Sequence, residues 1–140
     1  MIEVVSWPEW TRPLPEPDAV TRPFWEAAAQ GRLLYQRCAA CSHRQFYPRA
    51  VCTACGATPE WAEASGRGTV YTFTVVRQYG APPFASELPY VVAIVELEEG
   101  VRMMGNLTGC PVDEVRVGLP VQAYAVRAAE AIGVVFWRPA

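Results

Sequence analysis

The chain has 140 residues, of which 51% are hydrophobic, and this is enough apolar material for one domain, or for one domain with a small appendage. No apolar run approaches the roughly 18 residues that a membrane helix needs, and the first residues lack the basic and apolar regions of a signal peptide, so a cytoplasmic location away from membranes is expected. The formal net charge of −2 argues against a protein whose main task is to bind phosphate backbones.

A proline-rich arm precedes the first predicted element. Prolines recur from Trp7 to Pro23, and they deny regular hydrogen bonding and favour extended geometry. The arm also carries Trp7 and Trp10, which are costly to leave in water. We therefore expect the arm to lie against the rest of the chain or against a partner.

A short helix follows the arm. Thr21 is suited to cap it and Gly31 to end it, which predicts a helix from about Arg22 to Gln30. Phe24 and Trp25 give this helix an apolar side, but two turns are too few for stability in isolation. The helix must dock on another part of the molecule.

Two C-x₂-C pairs form the clearest motif, Cys38 with Cys41 and Cys52 with Cys55. Four sulfurs in two tight pairs suit a tetrahedral Zn²⁺, and in a reducing compartment paired cysteines favour metal over disulfides. Predicted strands at 33–37 and 45–47 flank the first pair. A closed four-sulfur site leaves no open position for substrate, so the motif predicts a structural zinc ribbon.

Four arginines and no acidic residue lie between Ala27 and Pro59, namely Arg32, Arg37, Arg44 and Arg49. Four thiolates on one Zn²⁺ leave a net charge of about −2, which nearby guanidinium groups stabilise. A phosphate site is a compatible second interpretation, because only some of these side chains need to face the cluster.

Five predicted strands fill the second half of the chain, at 69–78, 90–97, 101–107, 120–127 and 133–138. In the first of them, alternation places Tyr71 and Phe73 on one face and Val70 and Thr72 on the other. Gly105 suggests a bulge or a sharp bend in the third strand. Five strands without a long connecting helix fit a small Greek-key barrel such as the OB-fold, with a β-sandwich fragment as the competing architecture.

Several stretches occur together in an order typical of one family: Pro23–Glu26, Leu33–Cys38, Tyr47–Arg49, Cys52–Gly56, Pro89–Leu97 and Gly118–Val121. On these stretches the sequence resembles the DUF35 proteins, in which a rubredoxin-like zinc ribbon is joined to an OB-fold and associated with acyl-CoA metabolism. Ser42 departs from the pattern, since a glycine is common after the first cysteine pair. The resemblance implies a mainly β chain with an arm and short helix at 1–31, a zinc ribbon at 32–64 and a five-stranded OB-fold barrel at 65–140.

The resemblance also implies a function. The chain is expected to be a noncatalytic accessory subunit that forms a hetero-oligomer with a thiolase-like enzyme, either a thiolase or an acyl-CoA retro-aldolase of sterol side-chain or fatty-acyl degradation. Some relatives assemble with MaoC-like hydratases. Acyl-CoA is the expected ligand, with Arg44 and Arg49 as candidate contacts for its phosphates. The candidate partner interface consists of Trp7, Trp10, Phe24 and Trp25.

The residues offer little support for catalysis by this chain alone. His43 is its single histidine and Cys110 its single cysteine outside the pairs, and no basic residue near Cys110 in sequence would activate the thiol. Two other functions stay open at this point. One is single-stranded nucleic-acid binding through strand aromatics such as Tyr71 and Phe73, against which the acidic balance argues. The other is a redox or zinc sensor that uses the cysteine pairs as a switch.

Overall fold

The computed structural model describes residues 1–79 and 81–140. Its elements are β1 (Glu3–Val5), α1 (Arg22–Ala29), β2 (Leu34–Arg37), β3 (Arg44–Gln45), β4 (Glu60–Glu63), β5 (Arg67–Val76), β6 (Tyr90–Leu97), β7 (Arg102–Leu107), β8 (Pro120–Ala129) and β9 (Ile132–Pro139). Short 3₁₀ turns cover Phe84–Glu87 and Val112–Glu114. Within these described residues, no helix has the length and apolar character needed to cross a membrane.

Strands β5 to β9 form a closed five-stranded barrel, which confirms the predicted OB-fold. The hydrogen-bonded order is β8-β5-β6-β7-β9, and β8 pairs with β9 to close the circle. The β7–β9 pairing, here called the β7–β9 seam, is the shortest in the barrel, because these two strands pair in parallel at Leu107 and Trp137 alone. Strand β1 adds to β8 in parallel, an addition that the short arm sequence did not predict.

The helix α1 has the predicted position, but its first turn is held differently from the prediction. Thr21 occupies the N-cap position without a side-chain capping bond. Its hydroxyl instead accepts from the Asp18 N–H, while Asp18 Oδ1 accepts from the Thr21 N–H at 2.8 Å. At the other end the N–H of Arg32 bonds the carbonyl of Ala27, which is the helix-ending pattern expected with Gly31.

A three-stranded sheet of order β3-β2-β4 builds the ribbon. The first predicted ribbon strand is confirmed at Leu34–Arg37, and the returning strand is shorter than predicted, at Arg44–Gln45. Strand β4 was not among the predicted strands, because its Glu-Trp-Ala-Glu stretch lacks the β-branched residues typical of strands.

The predicted faces of β5 are wrong because the strand contains a β-bulge between Val70 and Thr72. A bulge inserts one extra residue and so reverses the inside–outside alternation beyond it. Val70 is therefore buried on the same side as Phe73, which packs against the core, while Tyr71 is 46% exposed.

The expected bulge at Gly105 is also absent, since the β6–β7 pairing is regular on both sides of that residue. Instead, the missing side chain at Gly105 allows β7 to pack closely against Trp137. A Cβ at this position would lie 3.1 Å from Cδ1 of Trp137, so the missing side chain makes room for the buried indole.

One continuous hydrophobic core joins all three segments of the chain. It contains Phe24 of the helix, Leu33 and Tyr35 of the ribbon, and barrel residues such as Trp137. The helix lies directly on β9, because a Cβ at Gly133 would come within 2.3 Å of the Ala29 nitrogen. The division at 31/32 and 64/65 stays a prediction.

Candidate metal centre and adjoining cavities

The four cysteines of the two pairs converge, with all their Sγ atoms within 4.8 Å of one another. The Sγ atoms of Cys38 and Cys55 lie 3.5 Å apart, and those of Cys41 and Cys52 lie 3.6 Å apart. A tetrahedral ion with Zn–S bonds near 2.3 Å requires sulfur separations of about 3.8 Å. The donor set and spacing therefore fit one structural Zn²⁺ held by all four thiolates.

Each cysteine pair lies in a turn of the same design. The Ser42 N–H donates to the Cys38 carbonyl at 2.8 Å, and the Gly56 N–H donates to the Cys52 carbonyl at 2.9 Å. Both turns need a residue with positive φ, which is 81° at Gly56 and 65° at Ser42. Ser42 thus holds a left-handed backbone conformation that a glycine would adopt with less strain.

Charge in the cysteine cluster is distributed unevenly. Burial is the strongest single influence on Cys52 and opposes its ionisation, but the N–H groups of Ala54 and Cys55 and the neighbouring thiols together lower its pKa to about 6. At Cys41 the His43 N–H favours the thiolate, yet burial and the other cysteines raise the pKa to about 12. A dication bound to all four sulfurs would favour the thiolate form of each cysteine.

Two buried glutamines fasten the segment that leads into the second cysteine pair. Gln36 Oε1 accepts from the Arg49 N–H at 2.8 Å, and Gln36 Nε2 donates to the Arg49 carbonyl at 2.9 Å. Gln45 Nε2 donates to Gln36 Oε1 at 2.8 Å, and Gln45 Oε1 accepts from the Thr53 N–H at 2.9 Å. In this segment the side-chain amides of Gln36 and Gln45 hold the backbone in place, as strand pairing does elsewhere in the ribbon.

An apolar cavity of about 520 Å³ lies where the helix and ribbon meet the β7–β9 seam. Aromatic rings dominate the ribbon side of it, and methionine and aliphatic side chains dominate the barrel side. The lining residues are Phe24, Trp25, Phe46, Tyr47, Tyr71, Ile94, Arg102, Met103, Met104, Gly105, Asn106, Val134 and Val135.

A cationic cleft of about 410 Å³ adjoins this cavity, and the two share Phe46, Tyr47 and Arg102 as lining residues. The cleft is also lined by His43, Arg44 and Arg49. Arg44 donates to the Glu99 carbonyl at 2.9 Å, and the guanidinium of Arg102 lies 3.7 Å from the ring centroid of Tyr71. Within the described ranges, the Arg49 side chain has neither a hydrogen bond nor an ion pair, so its charge is available to an anion.

The four residues predicted for a partner interface occur as two separate pairs. Trp7 stacks on Trp10 at 5.2 Å between ring centroids, and both pack on Phe136 outside the barrel. Phe24 and Trp25 are likewise 5.2 Å apart, but Phe24 is 4% exposed and belongs to the core. An interface through these residues stays a prediction, and only Trp25 of the second pair combines partial exposure with the cavity lining.

Sequence reasoning missed the barrel side of the cavity. Arg102 and Met104 stand on β7, more than fifty positions from the ribbon residues that they face, and nothing in their local pattern indicates a ligand. Cys110 lines a smaller cavity of about 240 Å³ beside Trp7. Burial, and next the charge of Glu114, raise the pKa of the Cys110 thiol, which makes this thiol a poor nucleophile.

Comparisons with known proteins agree with this geometry. Residues 25–61 match the family model described as the ChsH2 rubredoxin-like zinc ribbon domain, and residues 61–126 match the ChsH2 C-terminal OB-fold domain. A DUF35 domain-containing scaffold protein of Pyrococcus furiosus is 34% identical over 76% of this chain and 78% of its own length. A Thermomonospora curvata protein named as a probable enoyl-CoA hydratase alpha subunit is 41% identical over 95% of this chain.

Among solved structures, a chain described as "Ltp2-ChsH2(DUF35) aldolase" superposes with a TM-score of 0.80 at 38% identity, over 89% of this chain and 98% of that one. The chain spans less than two thirds of the length of the first curated relatives that it matches, and 41% of the hydratase subunit. The likeness to the two hydratase alpha subunits therefore concerns only a portion of those longer proteins.

Proposed function

The chain belongs to the DUF35 family, and from this premise we propose that it is a noncatalytic accessory subunit that binds acyl-CoA and assembles with a thiolase-like or aldolase enzyme. The observation that carries the proposal is the union of an apolar cavity and a cationic cleft at the ribbon–barrel junction. A ligand that fills both must have an apolar end and an anionic end, as acyl-CoA does.

Each half of the junction suits one part of that ligand. Arg44 and Arg49 offer guanidinium groups to the CoA phosphates, since Arg binds phosphate through paired donors, whereas Arg102 is already paired with Glu96 at 3.2 Å. The neighbouring cavity offers aromatic and methionine side chains to the acyl group, and its volume of about 520 Å³ is ordinary for a small-molecule site. Zinc has a structural role in this proposal, because it holds the ribbon that supplies one wall.

Two relatives that are described as parts of enzymes support the proposal of a partner. One is a hydratase alpha subunit and another an aldolase that contains a DUF35 chain. We place the chemistry in a partner because four of the five cysteines form the metal cluster, and burial raises the pKa of the fifth thiol, Cys110. A hetero-oligomer with a thiolase-like enzyme, a retro-aldolase or a MaoC-like hydratase is accordingly proposed.

The nucleic-acid alternative is weakened by the position of Phe73. Base stacking on β5 needs Tyr71 and Phe73 on the same outer face, but Phe73 packs against the core. The outer ring at this place, Tyr71, is already covered by Arg102.

Titration calorimetry with an acyl-CoA tests the ligand half of the proposal. Arg49→Ala should weaken binding about tenfold, because an Arg–phosphate contact contributes roughly 1.4 kcal/mol or more. Arg37→Ala is the matched control, since Arg37 is an exposed ribbon arginine outside the cleft. Equal affinities of the two variants for the acyl-CoA would refute the proposed contact between Arg49 and a phosphate.

Co-expression with a candidate aldolase or thiolase tests the partner half. The complex should survive gel filtration, and the partner's activity should be lost without this chain. A partner that is fully active alone would refute the accessory role.

A further inference from the structure

The two buried glutamines connect the metal centre with the cationic cleft. Arg49, whose side chain lines the cleft, and Cys52, which is a ligand of the metal, lie three residues apart in a segment without strand pairing. Gln36 holds the Arg49 end of this segment through both backbone groups of Arg49. Gln45 holds the Cys52 end through the Val51 carbonyl at 3.2 Å and the Thr53 N–H at 2.9 Å.

The two amides also bond each other, so neither end of the segment is held independently. Gln36 and Gln45 face each other across the β2–β3 ladder, and the bond from Gln45 Nε2 to Gln36 Oε1 is 2.8 Å long. Their exposed fractions are 3% and 7%, so water cannot replace lost partners at low cost. A shift of the Cys52 turn therefore disturbs Gln45, then Gln36, and then the backbone of Arg49.

We propose that Gln36 and Gln45 are positioning residues that couple zinc binding at Cys52 to anion binding at Arg49. Zinc occupancy then sets the affinity of the cleft for a phosphate-bearing ligand, and by thermodynamic linkage such a ligand tightens zinc binding by the same factor. The ligand half of this coupling rests on the proposed acyl-CoA function. The metal half depends only on the cysteine cluster and the amides.

Two single variants separate coupling from local support. Gln36 makes no side-chain bond to the Cys52 turn and Gln45 makes none to Arg49, among the residues that the structure describes. Gln36→Met should nonetheless weaken zinc affinity, and Gln45→Met should weaken CoA affinity in zinc-saturated protein. We expect about tenfold in each case, which is the usual effect of removing a group that supports metal ligands.

Zinc affinity is measured by competition with a chromophoric chelator, and CoA affinity by calorimetry with CoA itself. Gln122→Met is the matched control, because Gln122 is exposed on β8 away from the ribbon, and both affinities should stay unchanged. Circular dichroism verifies that the barrel remains folded in each variant. If either variant loses its barrel, the shorter amides Gln36→Asn and Gln45→Asn take the same measurements, with the same expected and contradicting outcomes.

The outcomes distinguish this inference from the proposed function. Unchanged zinc affinity in folded Gln36→Met overturns the coupling, whatever happens to CoA. Weakened zinc affinity in Gln36→Met, in a protein whose wild type binds no CoA, supports the metal half of the coupling and refutes the acyl-CoA proposal. The coupling is also overturned if each variant affects only the end of the segment that its residue holds. In that case Gln36→Met alters CoA binding alone, and Gln45→Met alters zinc binding alone.

Discussion

Arg12 and Glu87 lie 75 positions apart in sequence and form a two-pronged ion pair, with Nε–Oε2 at 3.2 Å and Nη2–Oε1 at 2.7 Å. The remaining guanidinium nitrogen, Nη1, donates to Asn106 Oδ1 at 2.8 Å, and the group lies 5.2 Å from the ring centroid of Phe136. This single side chain ties the proline-rich arm to the 3₁₀ turn, to β7 and to β9.

Arg12→Ala should lower the free energy of unfolding by about 2–3 kcal/mol. The Arg12 side chain is only 11% exposed, and its removal leaves the half-buried Glu87 carboxylate without a partner. Urea denaturation measures the change. Arg77→Ala is the control, since Arg77 faces Asp113 at 3.9 Å with both groups exposed, and it should change stability by less than about 0.5 kcal/mol. Equal effects of the two substitutions would show that the arm is not fastened through Arg12.

Ser42→Gly should stabilise the ribbon by about 1 kcal/mol, because glycine adopts the positive φ of 65° without the penalty that serine bears there. The reverse change in the second turn, Gly56→Ser, should destabilise by a similar amount at a φ of 81°. Denaturation of the zinc-loaded protein measures both. A loss of stability in Ser42→Gly would mean that the serine side chain contributes more than its backbone strain costs.

Gly133→Ala should destabilise the protein by at least about 2 kcal/mol, because the new Cβ would meet backbone atoms of α1, the nearest at 2.3 Å. The helix must then move away from β9, and Trp25, which lines the apolar cavity, moves with it. Thermal unfolding and the emission spectrum of the tryptophans should both change. A variant with unaltered stability would contradict the close contact between α1 and β9.

Cys41→Ser should release zinc and unfold the cysteine end of the ribbon, since metal binding supplies on the order of 10 kcal/mol of local folding free energy in such sites. The barrel strands should keep their circular dichroism signal, because the metal cluster lies outside the shared core. Cys110→Ser, which leaves the cluster intact, should retain zinc. Loss of the whole β signal in Cys41→Ser would mean that ribbon and barrel fold as one unit.

Local sequence patterns predicted the helix, the metal motif and the barrel strands, because each has a periodicity or spacing of its own. The faces of β5 were not predictable in this way, since β-branched residues occupy both sides and a bulge at Val70 leaves no mark in such a pattern. Strand β1 was missed because its three residues are too few to show alternation. Long-range contacts decide such features.

The cavity and the glutamine pair were beyond sequence reasoning for a related reason. Gln36 and Gln45 read as ordinary polar strand residues, and only the fold buries them against Arg49 and Thr53. Arg44 and Arg49 were singled out from charge alone, and the structure adds Arg102 to the same cleft from a distant strand. Charge composition indicates which arginines are candidates for an anion site, but chain topology decides which of them lie together.

In the proposed function, one ligand occupies both the cleft and the apolar cavity. Calorimetry of the zinc-loaded chain with octanoyl-CoA, CoA and octanoate tests this most directly. We expect octanoyl-CoA to bind at least about tenfold more tightly than CoA, because burying the acyl chain adds about 0.8 kcal/mol for each methylene group removed from water. Octanoate alone should bind weakest. Equal affinities for octanoyl-CoA and CoA, or no binding of either, would contradict the account.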